Sequence, residues 1–70
     1  MSEPLLELTV NGEPTSVRPG TLLDLLAALD RKPELVAIEH NGRVVPRGEF
    51  GASALSAGDK IEIVQFVQGG

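Results

Sequence analysis

The sequence of 70 residues contains no cysteine, tryptophan or tyrosine, and His40 is its single histidine. Without cysteine the chain can form no disulfide framework, no thiolate nucleophile and no cysteine-based metal cluster. One histidine is too few for a multi-histidine site, so we expect no bound metal. The lack of cysteine is consistent with a reducing compartment, and we expect a cytoplasmic protein.

Long apolar runs and an excess of positive charge are also missing. The longest apolar stretch, residues 25–29, is far shorter than the roughly 20 residues that cross a bilayer. Acidic residues interrupt the N-terminus where a secretory signal would be apolar. Ten acidic residues against six basic ones argue against nucleic-acid binding and favour a basic partner. We therefore expect contact with neither membrane nor nucleic acid.

The first part of the chain has the pattern of a hairpin. Leu6, Leu8 and Val10 alternate with Leu5, Glu7 and Thr9, which predicts a half-buried strand over residues 5–10. Asn11 and Gly12 follow at once, and they tolerate the positive φ that both central residues of a type I′ turn require. The return strand over residues 13–18 contains Pro14, which suits the edge of a sheet.

A single amphipathic helix is predicted next. Thr21 can cap its N-terminus, and Asp24 stands three residues on as the reciprocal partner of a capping box. Leucines then recur at i, i+3, i+4 and i+7, which places them on one helix face. They are Leu22, Leu25, Leu26 and Leu29. Pro33 prevents a simple continuation of the helix.

A second Asn-Gly pair, at residues 41–42, predicts a tight turn between strands over residues 35–39 and 43–45. Residues 47–57 have no clean periodicity and predict a loop with one helical turn near Ala54.

The last strand is predicted over residues 60–65, and the absence of edge signals in it favours a central position beside the first strand. One helix must then cover one face of a mixed sheet of four or five strands. This α+β arrangement is the β-grasp, or ubiquitin-like, fold. We expect a β-grasp domain over residues 1–65 and a flexible tail over residues 66–70.

Residues for autonomous catalysis are not evident. A lone histidine cannot define a Ser-His-Asp triad, and His40 is predicted to be exposed at a strand end. The glycines of residues 48–58 lack the spacing of a phosphate-binding loop. We therefore expect no catalytic residue within the domain.

The two last glycines have a chemical use. Gly69 lacks a Cβ, so the chain can thread a narrow channel. The five residues from Phe66 to Gly70 reach at most about 17 Å. The Gly70 carboxylate becomes an acyl donor once it is activated, for instance as an adenylate, and sulfur can then displace AMP to leave a thiocarboxylate. With no cysteine in the chain, the sulfur must come from a partner.

Val64 and Phe66 alternate onto the side of the last strand opposite residues 61 and 63. If exposed, they would form with Val67 an apolar anchor for partner enzymes. The alternative is that they pack against a neighbouring strand or loop.

The sequence resembles the ThiS family of sulfur carriers in thiamine biosynthesis from about residue 5 to residue 70. The resemblance lies in V-A-I-E-H-N-G-R-V-V-P-R-G-E-F at residues 36–50, G-D-K-I-E-I-V at residues 58–64 and the closing V-Q-G-G. Phe50 stands where the family often has tryptophan.

The resemblance implies a carrier that binds no cofactor itself. A ThiF-type enzyme would use ATP and magnesium to adenylate the carboxylate of Gly70, the modified residue, with Gly69 providing the threading. Sulfur relayed from a cysteine desulfurase would replace AMP, and the thiocarboxylate would donate sulfur to the thiazole synthase ThiG.

Three alternatives remain open from the sequence. The small, MoaD-like subunit of molybdopterin synthase has the same architecture and also ends in Gly-Gly. A ubiquitin-like modifier shares the activation chemistry and differs only in its acceptor. A non-covalent interaction domain would have an inert terminus.

Overall fold

The computed structural model describes residues 4–67. They form a five-stranded sheet with one α-helix packed against one face. In chain order the elements are β1 (Leu6–Val10), β2 (Glu13–Val17), α1 (Leu22–Ala28), β3 (Val36–His40), β4 (Arg43–Val45) and β5 (Lys60–Gln65). The strand order is β2-β1-β5-β3-β4, with β1 and β5 parallel and the other neighbours antiparallel. This is the predicted β-grasp fold, with the last strand in the centre beside the first.

Both predicted Asn-Gly turns are present. Asn11 and Asn41 have φ values of 50° and 54°, and the glycines that follow them have 81° and 84°. Positive φ at both central residues is the geometry of a type I′ turn, whose twist matches that of the flanking strands.

Pro14 lies on an edge strand, as predicted. In β2 it stands opposite Thr9 of β1, and β2 has no second neighbour in the sheet. Because Glu13 and Val10 close the two-residue turn, the backbone of the next residue points away from β1. Proline therefore costs no ladder hydrogen bond here, and it removes a donor from the open edge.

The helix begins with the predicted capping box. The backbone N–H of Thr21 donates to Asp24 Oδ2 at 2.8 Å, and the N–H of Asp24 donates to the Thr21 hydroxyl at 3.4 Å. The helix ends at Ala28, before Pro33, because Asp30 adopts a φ of 58° and turns the chain. Pro33 instead opens a short 3-10 turn, Pro33–Leu35.

The core lies between α1 and the sheet. Its largest fully buried side chains are Phe50, Leu22, Leu25, Leu26, Ile38 and Ile61. Phe50 belongs to a 3-10 helix, Arg47–Ala52, so the prediction of a helical turn near Ala54 was wrong. The 3-10 helix places the large Phe50 side chain in the core, while Leu55, further along the same segment, is buried without a helical turn. Ala54 pairs with Thr21 in an isolated bridge.

The prediction of an exposed His40 was also wrong. Its side chain is only 15% exposed, and Nε2 lies 2.6 Å from Asp59 Oδ2. Asp59 also accepts hydrogen bonds from the Asn41 side chain at 3.0 Å and from the Ser56 N–H at 2.8 Å. We refer to His40, Asn41, Ser56 and Asp59 as the Asp59 cluster.

The environment of Asp59 changes its acidity. Burial alone raises the pKa of this carboxyl, but the hydrogen bonds from His40, Asn41 and Ser56, with the charge of His40, outweigh burial and lower the pKa below its usual 3.8. The carboxylate is therefore the form that the cluster stabilises.

Candidate functional site: the exit from the central strand

The central strand, β5, leads directly into the residues that precede Gly69 and Gly70, where the sequence predicts the chemistry. We refer to residues 65–67 as the exit segment. Gln65, the last residue of β5, pairs with Val36. One residue further, the N–H of Phe66 donates to Leu35 O at 2.8 Å. Antiparallel bonding to the β3 side thus continues past the end of the strand and orders the start of the exit segment.

A side-chain contact ties the exit segment to the helix side of the sheet. Arg31, just beyond α1, donates from Nη1 to Gln65 Oε1 at 2.8 Å. Arg31 is in turn held by a hydrogen bond from its N–H to Leu26 O at 2.8 Å. The base of the exit segment is therefore bonded to two elements of the domain.

The turn residue Asn11 makes a third connection to β5. Its Nδ2 donates to Ile63 O at 3.1 Å, and its Oδ1 accepts from the N–H of Ile63 at 2.6 Å. Sequence reasoning identified Asn11 only as a turn residue, since no local signal reveals a partner 52 positions away.

The apolar residues predicted as a docking surface are exposed. Val64 is 60%, Phe66 46% and Val67 93% exposed, so each presents apolar surface to solvent. Val64 stands directly opposite Ala37 of β3, on the sheet face that α1 leaves open. Together Val64, Phe66 and Val67 form what we refer to as the apolar exit patch.

Two carboxylates stand beside this patch on the same open face. Glu39 of β3 and Glu62 of β5 are direct cross-strand partners. Like charges in this position destabilise a sheet. Positive charge brought to the open face would reduce this repulsion.

The two residues expected to carry the chemistry, Gly69 and Gly70, lie outside the described residues. Within residues 4–67, no group of three or more His, Cys, Asp or Glu side chains could hold a metal ion. No helix in that same part of the chain is long and apolar enough to cross a membrane.

The fold and the exit define a class of protein: a ubiquitin-like domain whose central strand leads, beside an exposed apolar patch, into a C-terminal segment. A sequence model of the ThiS family matches residues 8–70. The chain belongs to the ThiS family.

Curated relatives are of two lengths. The chain is 46% identical over 66 residues to a thiazole synthase of Magnetococcus marinus, covering 93% of this chain and 20% of that protein. A thiazole synthase of Paramagnetospirillum magneticum is 35% identical over the same shares. The chain thus spans about a fifth of the length of these relatives. It is also 37% identical over 51 residues to the sulfur carrier protein ThiS of Bacillus subtilis, covering 73% of this chain and 77% of that one.

Solved structures agree with the family. The crystal structure of the thiamine biosynthesis protein ThiS from Geobacter metallireducens superposes with a TM-score of 0.79 at 38% identity. The match covers 93% of this chain and 100% of that chain. A solution structure of a thiamine biosynthesis protein from the same organism gives a TM-score of 0.77.

Proposed function

We propose that this chain is a cytoplasmic sulfur carrier for the formation of the thiamine thiazole, and that it is a substrate of its partners rather than an enzyme. In the first step a Gly70 carboxylate oxygen attacks the α-phosphorus of ATP, and pyrophosphate leaves. A sulfur nucleophile then attacks the acyl carbon, and AMP leaves. The observation that carries the proposal is the ThiS family match, which runs through Gly69 and Gly70.

The first partner is a ThiF-type adenylating enzyme that supplies the ATP and magnesium site. The sulfur comes from a cysteine desulfurase as a persulfide on a partner, because the chain has no cysteine of its own. The outer sulfur of the persulfide bonds the acyl carbon, and a second partner thiol then cleaves the S–S bond, which releases the thiocarboxylate and leaves a disulfide on the partner. Residues 66–70 act as a tail that enters the partner while the domain stays outside, and their extended reach of about 17 Å suits this role. Gly69 supplies the narrow cross-section.

The sulfur acceptor is thiazole synthase. Two proteins of that name contain a region similar to 93% of this chain. A carrier-like region within the same polypeptide as the synthase brings donor and acceptor to a high effective concentration. This arrangement in the relatives supports the synthase as the partner of the present chain.

The apolar exit patch is the docking surface for these partners. Val64 and Phe66 lie at the base of the tail, where contact with an enzyme would guide the tail into its channel. Exposed apolar residues grouped in this way mark interaction sites. The adjacent Glu39 and Glu62 favour a partner whose apolar pocket is rimmed by lysine or arginine.

Intact mass tests the carrier function. The protein is incubated with a ThiF-type enzyme, ATP, magnesium and sulfide, and its mass is measured before and after. A gain equal to the replacement of one oxygen by sulfur, located at Gly70 by fragmentation, is expected. An unchanged mass contradicts the proposal and identifies an inert interaction domain. The mass of the protein from its native source shows whether Gly70 carries the free carboxylate that the reaction needs.

The thiocarboxylate form of the protein is then offered to each candidate acceptor. The acceptor that reacts distinguishes a carrier for thiazole formation from a MoaD-like carrier and from a ubiquitin-like modifier. Sulfur transfer to thiazole synthase is expected. Transfer only to the large subunit of molybdopterin synthase indicates a MoaD-like carrier, and a bond to lysine indicates a ubiquitin-like modifier.

A further inference from the structure

The side chain of Asn11 makes hydrogen bonds that its turn does not require. The turn needs only a residue that tolerates positive φ, and Asn11 adopts a φ of 50°. Its side-chain amide nevertheless reaches β5 and bonds both the N–H and the C=O of Ile63. One side chain thus satisfies the two peptide groups of a single residue in the central strand.

This contact extends the sheet where β1 has already ended. Backbone pairing of β1 with β5 ends at Val10 and Ile61, and the N–H of Asn11 donates to Ile61 O at 2.8 Å. The groups of β5 that face β1 recur at every second residue, so the next ones belong to Ile63. The chain turns away at Gly12 before its backbone can reach them, and the Asn11 amide takes the place of the missing strand residue.

Ile63 is therefore held from the β1 side two residues before the exit segment begins. On the opposite side, the N–H of Phe66 bonds Leu35 O. A strand bonded on both edges leaves the sheet in one direction, whereas a strand bonded on one edge can pivot about it.

We propose that Asn11 is a positioning residue whose side-chain amide fixes the direction in which the exit segment leaves the sheet. The inference rests on the proposed function for its consequence: the exit segment reaches the activating enzyme in one direction, so a smaller fraction of the carrier molecules presents a direction that the enzyme cannot bind. A partner that accepts one direction binds more weakly when only a fraction of the carrier presents it.

The test compares two matched variants, Asn11→Gly and Asn41→Gly. Both keep a turn that tolerates positive φ, and both delete an amide that bonds β5. The Asn41 amide oxygen accepts from the N–H of Lys60 at 2.8 Å, at the opposite end of the strand. Asn41→Gly therefore controls for the loss of stability without touching the exit.

Two measurements are made on both variants and the wild type. In Asn11→Gly, hydrogen exchange at the Phe66 amide, relative to the Leu25 amide of α1, is expected to rise about tenfold, because local opening of the end of β5 no longer has to break the bonds to Asn11. With a ThiF-type enzyme, KM for the carrier is expected to rise about tenfold with kcat unchanged. In Asn41→Gly, neither the relative exchange at Phe66 nor KM for the carrier is expected to change.

Equal relative exchange at Phe66 in the two variants would overturn the inference. So would an equal rise of KM in both, because loss of stability would then explain it. The exchange measurement uses the carrier alone. If the wild type is never adenylated, the proposed function fails, and exchange still decides whether Asn11 holds the exit.

Discussion

The two Asn-Gly hairpins lie on opposite sides of β5 and hold its opposite ends in different ways. At the start of β5, Asn41 bonds Lys60 and belongs to the Asp59 cluster, where hydrogen bonds converge on one buried carboxylate. Near the end of β5, the side chain of Asn11 bonds the backbone of Ile63 alone, and exposed apolar residues follow. The Asn-Gly pair at residues 41–42 thus stabilises the fold at the start of β5. In our proposal, the pair at residues 11–12 fixes the direction of the exit segment at the other end.

The largest expected effect is on adenylation, and it comes from a change in the tail that leaves the domain intact. Deleting Gly70 should abolish adenylation, because the carboxylate of Gly69 would stop one residue short, about 3.5 Å, of the reacting position. The free energy of unfolding should not change. Intact mass after incubation with the activating enzyme and chemical denaturation measure the two. A truncated carrier that still forms thiocarboxylate contradicts the role of Gly70.

The next effect belongs to the opposite end of β5. Asp59→Ala removes the shared acceptor of three donors and should lower the free energy of unfolding by about 2–3 kcal/mol. Urea denaturation measures this. For variant protein that remains folded, kcat/KM with the activating enzyme should match the wild type. A stability equal to wild type would show that the cluster contributes little.

The same carboxyl makes stability depend on pH. Its pKa in the folded state lies below the ordinary value of 3.8, so the unfolded chain binds its proton first as the pH falls. The stabilisation is complete above the ordinary value and is lost as the pH drops through the folded-state pKa. In Asp59→Asn this part of the pH profile should disappear. An identical acid slope in wild type and variant would assign it to other groups.

A smaller effect is expected at the apolar exit patch. Phe66→Ala should weaken binding to the activating enzyme about tenfold, the usual cost of truncating an apolar anchor, with little change in stability. Leu23→Ala is the matched control, since Leu23 is 41% exposed against 46% for Phe66 and lies on the helix side. Isothermal titration measures both, and equal losses would argue against a localised docking surface.

The smallest effect concerns charge on the open face. Glu62→Gln relieves the repulsion from Glu39 and should raise the free energy of unfolding by a few tenths of a kcal/mol. It should also slow association with a basic partner at low salt. Stopped-flow association at two ionic strengths tests this, and an unchanged on-rate would mean that the partner presents no positive rim there.

Local signals in the sequence predicted most of the fold. Strands β4 and β5 have the predicted bounds, residues 43–45 and 60–65, because short alternating runs between turn residues leave few choices. The capping box at Thr21 was predictable because its partners are three residues apart. The position of the last strand followed from the absence of edge signals in it.

Contacts between distant residues were not predictable in this way. His40 reads as a surface residue at a strand end, and only the fold brings it within 2.6 Å of Asp59. Asn11 has the sequence pattern of a turn residue, and its amide lies within hydrogen-bonding distance of Ile63 only because β1 and β5 pair. The 3-10 helix around Phe50 has no periodic pattern and depends on space in the core.

The amino-acid sequence by itself determined the order of strands and helix, both tight turns and the diglycine that carries the proposed chemistry. These depend on steric and hydrogen-bonding preferences that act within a few residues. Only the tertiary structure decided which polar side chains meet at each end of β5 and which apolar residues stay exposed beside the exit. Those features depend on pairing between strands that are far apart in the chain. The free energy of burial that favours this pairing is shared among many residues, so no local sequence pattern predicts it.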